Sequence, residues 1–60
     1  MSQMSQEDYL QILFADTGYE TSAQRRGWLK LRFGKEYPDE LTAGQKHQAI
    51  EALKREKEEA

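Results

Sequence analysis

Five side chains between Thr21 and Lys35 could do chemistry together: Arg25, Arg26, Trp28, Lys30 and Arg32. Lys35 extends the run, and no acidic residue interrupts it. Guanidinium groups pair with phosphate oxygens in a two-pronged geometry. An indole can stack on an unpaired base. Binding built from several such cations weakens steeply with salt. The segment therefore points first to nucleic acid, with those five residues as contacts.

Their spacing also fits a purely structural role. At roughly 100° per residue, Arg25, Trp28 and Arg32 share one stripe bordering Leu29 and Phe33, while Arg26 and Lys30 fall on the opposite flank. Trp28 would then be a core residue. Arg25 and Arg32 would lay their stems along the core and pair with Glu7, Asp8, Asp16 or Glu40.

Other chemistries find little support. The chain has no cysteine, which removes disulfides and thiolate metal sites. One histidine, His47, would need an uncommon carboxylate-rich set to hold zinc, and it reads as a surface residue. Ser22 has no His-Asp arrangement near it and reads as part of a helix start. There is no Gly-rich phosphate loop or paired catalytic carboxylate. The expectation is a protein without enzymatic activity, cofactor, metal or small-molecule substrate.

The elements that must position the basic segment are marked by helix signals. Ser5 can cap a first helix whose opening turn carries Glu7 and Asp8, where the helix dipole favours anions. Tyr9, Leu10, Leu13 and Phe14 then recur at helical spacing, and Gly18 suits a stop. Thr21-x-x-Gln24 fits a capping box, as does Thr42-x-x-Gln45. Gly34 suits the left-handed residue that ends a helix. Pro38 biases Tyr37 away from helix and separates the second helix from the third. Gly27 lies inside the second helix, either tolerated or allowing another helix to come close.

With 60 residues, no valine and two isoleucines, the chain is a single small helix-rich domain. The expected fold is all-α, a compact three-helix domain with helices near 6–16, 22–33 and 43–57. Residues 1–4 and 58–60 are expected to be disordered. The turns after Leu53 have no large apolar residue and are expected to fray into solvent. The hydroxyls of Tyr9, Tyr19 and Tyr37 are expected to be wet.

Charge falls in blocks: −4 over residues 1–20, +5 over 21–35 and −3 over 36–60. The overall net charge of −2 hides the basic segment. The acidic blocks also argue against the broad positive footprint common in nucleic-acid binders. No stretch is apolar enough to span a bilayer. The first residues have neither a basic start nor an apolar run, so no signal peptide and a cytoplasmic location are expected.

Thr21-x-x-Gln24, Leu29, Phe33-Gly34, and Leu41-Thr42-x-x-Gln45-x-x-x-Ala49-Ile50-x-x-Leu53 together resemble a short helical module of phage proteins. That module occurs in the Mu-type GemA regulators and in the tails of some single-strand annealing recombinases. The resemblance covers about residues 21–54 and leaves the first helix outside. It implies a phage or mobile-element setting and accessory work near DNA, and it transfers no catalytic residue.

A second reading competes with nucleic acid. The chain could be a protein-interaction module, an adaptor, an inhibitor or a homodimer, contacting an acidic or apolar protein through Tyr9, Leu10, Leu13 and Phe14.

Overall fold

Both capping boxes form, and they set where the helices begin. The computed structural model describes residues 4–59. Helix α1 spans Gln6–Asp16, α2 Ser22–Phe33 and α3 Ala43–Glu59, with a single 3₁₀ turn at Pro38–Glu40 before α3. The fold is all-α, a three-helix domain. Helix α3 runs two residues past the expected end at 57, and Met4 is irregular and exposed. Of the segments expected to be disordered, residues 1–3 and 60 lie outside the described residues.

Each cap is made by the residues that announce it. The Asp8 N–H donates to Ser5 Oγ at 3.1 Å. At α2 the Gln24 N–H donates to Thr21 Oγ1 at 3.1 Å, and Gln24 Oε1 accepts from the Thr21 N–H at 3.1 Å. Thr42 and Gln45 repeat the exchange at 3.0 and 3.1 Å. Gly34 closes α2 at φ 76°, a conformation that favours a residue without Cβ.

The end of α1 does more than stop the helix. Gly18 sits at φ 94°, its N–H donates to the Ala15 carbonyl at 3.2 Å, and the Tyr19 N–H donates to the Phe14 carbonyl at 2.8 Å. That is a Schellman closure, which normally places an apolar contact across the same residues. Here the contact is Tyr19 edge-on to Phe14, with ring centroids 5.8 Å apart. The turn thus aims Tyr19 back over the core.

The core draws on every helix. Leu10, Leu13 and Phe14 come from α1, Trp28 and Leu29 from α2, and Ala49, Ile50 and Leu53 from α3, with Leu41 closing the connection. Helices α1 and α3 pack most closely, and α2 keeps its backbone farther from both. Trp28 and Leu29 reach across that wider gap. Phe14, Tyr19, Trp28 and Phe33 form a chain of tilted and edge-on rings, and such pairs add about 0.5–1.5 kcal/mol beyond burial. No described helix is long and apolar enough to cross a membrane.

Candidate functional site

The basic residues of α2 are divided by the core into two flanks with different surroundings. On the flank that borders α1 and α3, Trp28 is only 7% exposed and its indole is part of the aromatic core. Its Nε1–H donates to Glu56 Oε2 at 2.8 Å. Arg32 lies over the same ring, with Cζ 4.6 Å from the centroid and Nη2 3.5 Å from Glu56 Oε2. A ring so enclosed cannot also stack on a base in this conformation, so Trp28 is withdrawn from the expected stacking role.

Arg25 is also tied down. Its Nε donates to the Tyr19 carbonyl at 2.7 Å and its Nη1 to Gln11 Oε1 at 2.6 Å, and its guanidinium lies 5.8 Å from the Phe14 ring centroid. The pairing expected with Glu7, Asp8, Asp16 or Glu40 is replaced for both arginines. Glu7 instead holds Lys46 at 2.9 Å, and Asp16 holds Lys57 at 3.1 Å.

Glu56 is the centre of this flank. Besides Trp28 and Arg32, it accepts the Tyr19 hydroxyl on Oε1 at 2.7 Å. That hydrogen bond raises the Tyr19 pKa above its ordinary value, and burial and the negative charge of Glu56 push the same way, with Arg32 opposing. The Tyr19 hydroxyl is therefore not simply wet, and the turns after Leu53 are not wholly solvated. Glu56 was legible in one respect: Ala49, Leu53 and Glu56 follow spacings of four and three, so the core-facing stripe of α3 continues through it.

The other flank is open. Lys30 is exposed and belongs to none of the ion pairs among the described residues. Arg26 donates from Nη1 to the Tyr37 hydroxyl at 3.2 Å and lies over that ring, while its Nε is enclosed without a hydrogen-bond partner. Between them runs a surface with little side chain on it. Ala23 and Gly27 are exposed, and a Cβ built on Gly27 meets nothing within 4 Å. No neighbouring helix within the chain uses the space at Gly27. Ala23, Arg26, Gly27, Lys30 and Glu36 line an open depression of about 330 Å³.

The apolar face of α1 is not a free surface. Leu10, Leu13 and Phe14 are buried in the protein's own core, and Tyr9 is half-buried with Lys54 5.5 Å from its ring centroid. Among the described residues, the large apolar side chains left exposed are Met4, Ile12, Leu31 and Tyr37, with Leu31 at 90%. Among the described residues, no three His, Cys, Asp or Glu side chains converge to hold a metal ion. His47 sits on the surface 3.8 Å from Glu51.

No family model matches the chain, and no curated protein or solved structure is significantly similar to it.

Proposed function

We propose that this chain is a non-enzymatic accessory or regulatory protein that binds the phosphate backbone of nucleic acid through α2. The observation that carries the reading is the open flank. Arg26 and Lys30 border a Cβ-poor surface at Ala23 and Gly27, on a helix that contains no acidic residue. A phosphate chain can approach such a surface closely, and two cations are there to meet it. Glu36 on the rim limits the local charge, so the contact is small and sequence-tolerant. The resemblance of residues 21–54 to the phage GemA-type module supports an accessory role near DNA transactions.

The contacts are Arg26 and Lys30 foremost, with Arg25 and Arg32 adding field from the other flank. Trp28 serves as the packing that holds the helix. Anisotropy of labelled single- and double-stranded oligonucleotides tests this. Binding at low salt should fall with added salt, and Arg26→Ala or Lys30→Ala should each weaken it and reduce the salt slope by about one. Absence of binding to any oligonucleotide at low salt removes the reading.

A protein-contact reading retains one observation. Leu31 is 90% exposed on the same outward side as Gly27. Sedimentation at high protein concentration tests its homodimer branch, and a monomer there excludes a stable dimer.

A further inference from the structure

Three donors from two separate parts of the chain converge on one carboxylate. The Tyr19 hydroxyl reaches Glu56 Oε1 at 2.7 Å, and the Trp28 indole reaches Oε2 at 2.8 Å. Arg32 stands 3.5 Å from Oε2. None of the three donors is carried by α3. Tyr19 is placed by the Schellman turn after α1, and Trp28 and Arg32 by the turn spacing of α2. Only the acceptor belongs to α3. We infer that Tyr19, Trp28 and Arg32 form a seat for a phosphate oxyanion, and that Glu56 is the chain's own carboxylate occupying it.

The chemistry of the donors fits a tetrahedral oxyanion. A phosphate group offers several acceptor oxygens, enough to take an indole N–H, a phenol O–H and a guanidinium at once. With Glu56 turned out to solvent, the seat keeps one positive charge from Arg32 and two neutral donors. Glu56 is also easily moved. After Leu53 no residue of α3 is buried, and terminal turns of this kind open locally at low cost. The Glu56 side chain is already 30% exposed and that of Arg32 48%, so the seat lies at the surface.

A ligand that competes with an internal occupant binds more weakly by the fraction of time the seat is free. Removing Glu56 should therefore unmask the site. The inference rests on the nucleic-acid reading only for the source of the phosphate, a phosphodiester as against free inorganic phosphate.

Trp28 is the one tryptophan in the chain, so its indole N–H resonance and its fluorescence report this seat alone. Inorganic phosphate is titrated against chloride at matched ionic strength, into the unsubstituted protein and Glu56→Ala. A saturable, phosphate-specific shift of the indole resonance is expected in Glu56→Ala. The unsubstituted protein should respond about tenfold more weakly. Adding Arg32→Ala to Glu56→Ala should cut the response again. Should Glu56→Ala lose its helical circular dichroism, Glu56→Gln carries the same titration, since a neutral amide with one acceptor oxygen competes for the three donors more weakly than the carboxylate.

A folded Glu56 variant whose indole responds identically to phosphate and chloride overturns the seat. A second arm uses a short single-stranded oligonucleotide. A response to inorganic phosphate without one to the oligonucleotide upholds the seat and rejects nucleic acid as its source. Oligonucleotide binding that neither Glu56→Ala nor Arg32→Ala alters rejects nucleic acid as the source of the seat's phosphate, while leaving the open flank of α2 as the nucleic-acid contact.

Discussion

The indole N–H of Trp28 donates to the carboxylate of Glu56 at 2.8 Å, joining the middle of α2 to the last turns of α3. The same carboxylate accepts the Tyr19 hydroxyl and faces Arg32, so one side chain in an otherwise charged tail ties three segments together. The polar edge of a buried tryptophan needs a partner, and a tryptophan left without one loses stability.

Removing Glu56 should therefore cost more than removing its neighbours. Glu56→Ala is expected to destabilise the protein by about 1–2 kcal/mol, kept modest because the carboxylate is part exposed. Glu58→Ala and Glu59→Ala, both exposed, should stay within about 0.5 kcal/mol. Urea unfolding followed by circular dichroism measures the difference. Equal effects at the three positions would show that the Trp28–Glu56 bond carries no weight.

Tyr19 should make stability depend on alkaline pH. Its hydrogen bond to Glu56 raises its pKa above the ordinary 10.0. The folded state then holds the phenol proton more tightly than the unfolded state. That contribution is complete below the ordinary tyrosine pKa and is lost as pH rises from there through the raised folded value. Tyr19→Phe should be less stable at neutral pH, and its stability should fall less steeply in the alkaline range. Unfolding midpoints across that range, with the phenolate absorbance titration, decide it. A Tyr19→Phe profile parallel to that of the unsubstituted protein would refute the linkage.

Gly27 should accept a side chain. Nothing lies within 4 Å of a Cβ built there, and its φ is not positive. Gly27→Ala removes the conformational freedom of an exposed helix-interior glycine, so a gain of about 0.5–1 kcal/mol is expected. The proposed phosphate contact needs the surface to stay low. Gly27→Leu should keep the fold and weaken oligonucleotide binding. Unchanged binding in a folded Gly27→Leu protein would place the contact elsewhere.

Helix boundaries were largely legible from local chemistry. Ser5, Thr21-Gln24, Thr42-Gln45, Gly18 and Gly34 act on backbone groups within a few residues of themselves, so their effect does not depend on distant parts of the chain. The apolar spacing of Leu10, Leu13, Phe14, Trp28, Leu29 and Leu53 likewise marked the side of each helix that faces inward. The stripe of Arg25, Trp28 and Arg32 was visible as a stripe, but its meaning was not. Whether an arginine at the border of a core faces a partner or its own protein depends on which acid arrives opposite it.

The sequence by itself determined three helices, their caps and their inward sides, because those are short-range hydrogen bonds and a 3.6-residue period. Only the tertiary structure decided that Glu56 meets Trp28, Tyr19 and Arg32, and that Arg26 and Lys30 are left on an open flank. Those outcomes follow from the register of α3 against α2, which side-chain packing sets across 28 residues of chain. No pattern along the chain encodes that register, because it is settled by how Phe14, Trp28, Leu29 and Leu53 fill one shared core.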